Sequence, residues 1–210
     1  GGSHACAVLD NGSIACWGSG LNGELGIKLV GSKSTPVIVP VSGTFTQVSA
    51  GYEHTCALKN DGTVWCFGDN GNGQLGDGST TDSFTAVQVS NITNASQIST
   101  GSDFSCALLT DNTTKCWGHN NYGQLGDNST TDRLTPVNVK LSDGNNLDNV
   151  SSISSNRYTS CAVLNSDSAY CWGYGGYGQI GVGSYNNFNY AILISYSSIT
   201  FNLIANGPSF

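Results

Sequence analysis

The sequence predicts an all-β fold, a β-propeller of four-stranded antiparallel blades with four repeats in the chain. Three observations predict it: eight cysteines stand in four equally spaced pairs, a glycine-rich turn follows each pair at a fixed distance, and short β-branched segments alternate with turn residues throughout. Self-similarity at a fixed period of this length is the signature of a repeat architecture.

The cysteines are Cys6/Cys16, Cys56/Cys66, Cys106/Cys116 and Cys161/Cys171, nine residues between partners, recurring every 50, 50 and 55 residues. The second cysteine of each pair opens Cys16-Trp17-Gly18, Cys66-Phe67-Gly68, Cys116-Trp117-Gly118 or Cys171-Trp172-Gly173. Seven residues behind it begins Gly23-Glu24-Leu25-Gly26, Gly73-Gln74-Leu75-Gly76, Gly123-Gln124-Leu125-Gly126 or Gly178-Gln179-Ile180-Gly181. Alternating apolar pairs follow (Val37/Val39, Val87/Val89, Val137/Val139, Ile192/Ile194), and a lone apolar residue precedes the next unit: Val48, Ile98, Ile153, Leu203.

These segments are short, β-branched or aromatic, and bounded by Gly, Asn, Asp and Pro, so each reads as a strand. In the second unit the strands fall near 46–50, 55–59, 63–68 and 86–90, one propeller blade. The units span about 1–45, 46–95, 96–150 and 151–200 of a single repeat domain over 1–210, with 201–210 a closing strand. No segment has a helical period or a long apolar run, so no membrane span is expected.

The cysteine spacing follows from the hairpin between partners. In Lys59-Asn60-Asp61-Gly62-Thr63 a type I turn with Gly62 in the left-handed region makes a three-residue loop, and Asp10-Asn11-Gly12 repeats it. Counting outward sets Cys56 opposite Cys66, close enough to bridge. Asp111-Asn112 and Ser166-Asp167 lack the glycine, which predicts a different turn there. Four disulfides within hairpins are expected, free thiols in the same packed positions being the alternative. Zinc knuckles need cysteines two to four residues apart, and that spacing does not occur.

Net charge is −7 with 7 Lys+Arg, and no basic cluster occurs. Nucleic-acid binding is disfavoured, since it relies on cations that neutralise phosphates. Paired cysteines and a thinly charged Ser/Thr/Asn/Gly-rich composition point to an extracellular or cell-surface location. The chain holds no methionine, so residue 1 is not an initiator; a removed leader or a piece of a longer chain is expected. Asn11, Asn91, Asn94, Asn112, Asn128 and Asn149 lie in sequons.

His54-Thr55-Cys56-Ala57-Leu58, Asp61-Gly62-Thr63-Val64, Cys66-Phe67-Gly68 and Gly73-Gln74-Leu75-Gly76-Asp77-Gly78 closely resemble the regulator of chromosome condensation repeat family, over essentially the whole chain. The resemblance implies a seven-bladed type of propeller, of which four units make a partial ring or open arc, and the paired cysteines resemble the variant in extracellular microbial proteins. Nuclear members act as nucleotide exchange factors and bind chromatin; secreted relatives include an inhibitor of β-lactamases. Fold does not fix function.

The ends are complementary in phase. The next first cysteine is due at 211, just past Phe210, while Gly1–Cys6 begins in the phase of Gly51–Cys56. An opening hairpin thus lacks its first strand and a closing strand, with Phe201, Leu203 and Ile204 as its self-assembly residues, lacks its hairpin. One subunit's closing strand is expected to complete the next subunit's opening blade.

No catalytic residue, metal ligand or cofactor is expected. His4 and His54 share a repeat position with Phe104 and Thr159, which reads as packing; His119 reads as a solvent-facing loop residue. The loops Asp77–Asp82 and Asp127–Asp132 are oxygen-rich, but Asx-type turns explain them better than calcium. Trp17, Phe67, Trp117 and Trp172 read as blade-to-blade packing, whereas Tyr122, Tyr174 and Tyr177 are the candidate contact surface. The insertion at Asp143–Asn146 reads as a surface loop. The chain is therefore expected to be a non-enzymatic structural or interaction module whose partner is itself, head to tail. The alternative is a module that binds another extracellular protein or a glycan through one face.

Overall fold

A computed structural model describes residues 1–194. Strands β1 (His4–Val8), β2 (Ile14–Gly18) and β3 (Lys33–Ile38) form a three-stranded sheet. Three four-stranded antiparallel sheets follow in chain order. The first holds β4 (Phe45–Ala50), β5 (His54–Lys59), β6 (Val64–Gly68) and β7 (Ser83–Gln88); the second β8 (Ala95–Thr100), β9 (Phe104–Leu109), β10 (Thr114–Gly118) and β11 (Arg133–Asn138). The third holds β12 (Val150–Asn156), β13 (Thr159–Leu164), β14 (Ala169–Gly173) and β15 (Phe188–Leu193). These are blades of a propeller, the opening one without a first strand among the described residues. Phe201, Leu203 and Ile204 lie outside the described residues.

The hairpins place each cysteine directly opposite its partner, Cys56 against Cys66 and likewise in every blade. All four pairs are disulfide-bonded, with Cα atoms 4.0–4.1 Å apart, the narrow spacing of a non-hydrogen-bonded antiparallel pair.

The connecting turns correct one expectation. Asn112 and Asp167 occupy the position of Gly12 and Gly62 and adopt the same left-handed backbone, φ 63° and 62° against 77° and 82°. The hydrogen bonds also match: Gly62 N–H donates to Lys59 O and Asn112 N–H to Leu109 O, at 3.1 and 3.0 Å. Asn and Asp visit this region at little cost because their short polar side chains bond locally. One turn therefore serves all four blades.

A second correction concerns the outer strand, expected at 86–90 and found at Ser83–Gln88. Cys66 pairs with Val87 but Gly68 pairs with Ser83, so β7 bulges by two residues opposite Phe67. The bulge starts the strand early, and Val89 falls just beyond it, fully buried.

The cores lie between blades. Counting the opening sheet as the first blade, Leu75 and Val89 of the second blade pack with Ala107 and Trp117 of the third, and Leu125 and Val139 of the third repeat this with Ala162 and Trp172 of the fourth. Phe67, Trp117 and Trp172 are completely buried, as expected for packing residues; Trp17 is half-buried. The insertion at Asp143–Asn146 is exposed, but the adjacent Leu147 is buried in the junction between the third and fourth blades.

Polar links join the blades beside these cores. Ser105 donates its single hydroxyl proton to Gln74 O at 3.1 Å, so His54 Nε2, 2.9 Å from Ser105 Oγ, is the donor in that contact. The same pattern joins His4, Thr55 and Glu24 O. Burial holds both imidazoles well below their ordinary range, His4 at about 4 and His54 at about 3. They serve as neutral inter-blade links, in keeping with the packing role read from their register.

Candidate functional site

The loops after the first and third strands of a blade emerge on the same face and are bonded to each other. Asp69 N–H donates to Glu53 O, His119 N–H to Asp103 O and Tyr174 N–H to Tyr158 O, each at 2.9 Å. Towards the axis a main-chain chain of bonds runs from blade to blade: Gly2 N–H to Tyr52 O, Tyr52 N–H to Ser102 O and Ser102 N–H to Arg157 O, at 3.0–3.2 Å. These loops surround an open depression of about 760 Å³, with Tyr52, Glu53, Asp103, Asn156, Arg157 and Tyr158 in its lining.

Three loop positions change chemistry around this face. They carry Ser3, Ser19 and Asn22 in the first unit; Glu53, Asp69 and Asn72 in the second; Asp103, His119 and Tyr122 in the third; and Tyr158, Tyr174 and Tyr177 in the fourth. Burial and the carboxylates of Asp69, Glu24, Asp103 and Asp82 push the Glu53 carboxyl above its ordinary range. Asp69 is raised too, by burial first and with Asp82 beside it. One half of the face is therefore acidic and the other aromatic.

The candidate residues Tyr122, Tyr174 and Tyr177 come together. Ring centroids are 5.1 Å apart for Tyr122 and Tyr174 and 5.8 Å for Tyr174 and Tyr177. Two residues outside the sequence-based set join them. Tyr158 lies 5.0 Å from Tyr122, and His119 lies 6.2 Å from both. His119 is thus half-buried in an aromatic cluster instead of being a solvent-facing loop residue. Arg157, exposed at the edge of the depression, stacks 5.1 Å from the Tyr158 centroid. The signal that could have found Tyr158 is register: it fills the position of Glu53 and Asp103, whose loop is bonded to that of His119 and Tyr174.

The turns hold these side chains in place. The buried Gln124 side chain accepts from Tyr122 N–H at 2.9 Å and its amide contacts His119 Nδ1 at 2.9 Å; Gln179 accepts from Tyr177 N–H at 2.8 Å. Asn120 fixes the loop behind, donating to Asp127, Ser129 and Thr131 oxygens at 3.1–3.3 Å and accepting from Leu125 N–H at 3.0 Å. Asn70 does the same for Asp77, Ser79 and Thr81. The oxygens that suggested a cation loop converge on an amide NH₂ of the protein itself. Ser79 N–H on Asp77 Oδ1 and Ser129 N–H on Asp127 Oδ1 close Asx turns. Preorganised aromatic side chains on fixed loops are the chemistry of a contact surface.

Comparisons agree with the architecture. The family model described as Regulator of chromosome condensation (RCC1) repeat matches residues 11–58, 61–108 and 116–163, and a second of the same description matches 45–74, 95–124 and 150–179. No curated protein matches the sequence. Among solved structures, human WBSCR16 is similar at 19% identity and TM-score 0.80, over 92% of this chain and 51% of that one. Yeast RCC1 (Prp20), bound to Kap60, is similar at 18% identity and TM-score 0.57, over 94% and 60%. The ectodomain of the receptor kinase CR4 from Physcomitrella patens gives 22% identity and TM-score 0.51, over 87% and 42%. At such identities the likeness shows the fold, and the chain spans about half the length of these proteins.

Proposed function

The chain belongs to the regulator of chromosome condensation repeat family, and on that premise we propose that it is a non-enzymatic, disulfide-stapled extracellular module that binds a partner protein through its tyrosine face. The observation that carries this is the cluster of Tyr122, Tyr158, Tyr174, Tyr177 and His119, held by buried glutamine and main-chain bonds. Tyrosines supply large amphipathic contact area at low entropic cost and are enriched at interface centres. Tyr177 is 83% exposed and leads the cluster into solvent.

A protein partner fits better than a glycan. Neighbouring rings in the cluster meet at 49–86°, presenting edges and hydroxyls rather than one flat platform for a sugar ring. Yeast Prp20 is described bound to Kap60 and by its binding to Gsp1p and histones, so protein binding occurs on this fold. Four disulfides and few cations support an extracellular location over a nucleic-acid partner.

The test is affinity capture from the extracellular fraction of the producing cells, with a glycan array in parallel. The reading expects a protein retained by the native chain and lost with Tyr122→Ser/Tyr174→Ser/Tyr177→Ser. Glycan binding that depends on the same tyrosines would replace the protein partner by a sugar; capture unaffected by the triple variant would refute the face.

A structural role by strand complementation is the second reading. The residues it would use, Phe201, Leu203 and Ile204, lie outside the described residues.

A further inference from the structure

The loop that leads into the outer strand follows one backbone course in every blade. Lys28, Gly78, Asn128 and Gly183 share a register position and a left-handed φ of 65–92°. Lys28 N–H donates to Phe84 O, Gly78 N–H to Leu134 O and Asn128 N–H to Asn189 O, at 2.8–3.0 Å, which ties each loop to the outer strand of the next blade. In the second and third blades polar side chains hold the tip of this loop inward. Asn70 and Asn120 donate to oxygens of Ser79, Thr81, Ser129 and Thr131, and Asp77 and Asp127 accept from Ser79 and Ser129 N–H. Arg133, at the start of β11, is neutralised inside its own loop, its Nε 2.7 Å from Asp127 Oδ2.

The first blade keeps the course and changes the chemistry. Gly20 stands where Asn70 and Asn120 do, and Ile27 where Asp77 and Asp127 do. Ile27 packs against the core shared with the second blade, and Gly20 O accepts from Gly31 N–H at 3.0 Å. That bond brings Leu21 beside the tip Leu29-Val30. Leu21, Leu29 and Val30 are 62%, 64% and 67% exposed. Thr80 and Thr130, at the tip position of Val30, are exposed in blades that have a neighbour on either side, so the exposure belongs to the loop itself. Lys33 stands where Arg133 does, but no carboxylate faces it from position 27. Lys28 is exposed, and among the described residues neither lysine has an ion-pair partner. Between Glu24 and Glu53 the sequence holds no acidic residue, in a chain of net charge −7.

We propose that this tip docks the protein on an anionic lipid surface. Leu21, Leu29 and Val30 enter the boundary between headgroups and acyl chains, and Lys28 and Lys33 carry their ammonium groups to the headgroup phosphates and carboxylates. The charge of the tip is complementary to such a surface and opposite to that of the chain as a whole. A bilayer also receives protruding aliphatic side chains without a matching pocket. The contact lies in the first blade and is independent of the tyrosine cluster of the third and fourth.

The experiment is flotation of the whole chain with vesicles of phosphatidylcholine, alone or with about 30% phosphatidylserine. The native chain should float with the mixed vesicles, stay behind with the neutral ones, and be released by added salt. Lys28→Gln and Lys33→Gln should each lower the partition coefficient about fivefold, the contribution of one cation at an anionic surface. Leu29→Ser/Val30→Thr, which copies Ser79-Thr80 of the second blade, should abolish flotation with an unchanged melting midpoint. Leu29→Trp should gain blue-shifted emission with the mixed vesicles only. The triple tyrosine variant should float like the native chain, so failure of that face and failure of this contact are distinguishable. Absence of flotation, flotation indifferent to lipid charge, or flotation retained by Leu29→Ser/Val30→Thr overturns the proposal. So does a dimer in light scattering that this double variant dissolves and vesicles leave intact, since a second copy would then occupy the tip.

Discussion

The His54 imidazole lies across the Cα of Gly51, so close that a Cβ there would come within 2.3 Å of its Cε1. Phe104 lies still closer over Gly101, at 1.9 Å, and His4 covers Gly1. In the fourth unit the ring is replaced by Thr159, and the glycine by Asn156. Ring and glycine thus go together at the base of the axial loops. Gly51→Ala and Gly101→Ala should each destabilise by about 1–3 kcal/mol through overpacking, Gly101→Ala by more. Urea denaturation with equal m-values would establish this; an unchanged midpoint would mean that the loop shifts freely.

Acid should weaken the same junctions. His4 and His54 are neutral when folded, with values lowered to about 4 and about 3 by burial. The unfolded chain takes up these protons near pH 6.5, so the stabilisation is complete above that pH. It is lost as pH falls from about 6.5 through about 4 for His4 and about 3 for His54. His54→Phe, which installs the ring that Phe104 supplies in the next blade, should lose less stability than the native chain between pH 7 and 4.5, by on the order of 1–2 kcal/mol. Parallel unfolding curves at the two pH values would contradict the assignment.

The turn conformation predicts opposite effects at one position. Asp167→Gly should stabilise slightly, by a few tenths of a kcal/mol, because its φ of 62° suits glycine. Asn112→Ala should cost about 1 kcal/mol, since a left-handed backbone of φ 63° is less favourable for alanine than for asparagine. Thermal melts of the two variants compare them directly.

Non-reducing peptide mapping should find Cys6–Cys16, Cys56–Cys66, Cys106–Cys116 and Cys161–Cys171 and no bridge between blades. Each bridge closes a short loop and should contribute somewhat under about 3 kcal/mol. Replacing Cys106 and Cys116 with alanine should lower the unfolding midpoint without changing the fold by circular dichroism.

Much of the fold is legible because the repeat is strict. Turn register alone places Cys56 opposite Cys66, and the glycines beside Trp117 and Trp172 mark these as packing residues. The outer strand escapes the pattern because a bulge opposite Phe67 breaks the alternation that locates strands. Asn112 and Asp167 take the glycine position without a glycine, so the turn persists where its sequence signal fades. The site is half legible. Tyr122, Tyr174 and Tyr177 lie in loops of obvious exposure, whereas Tyr158 and His119 join them only through bonds between loops distant in sequence.

The most direct measurement places a photo-reactive residue at position 177 on the tyrosine face, or at position 61 in a hairpin turn of the opposite face. Each protein is then irradiated with the extracellular fraction of the producing cells. The account predicts one saturable protein adduct at 177, competed by unlabelled native chain and not by the triple tyrosine variant, and none at 61. Adducts at 61 alone, or equal adducts at both positions, would contradict it.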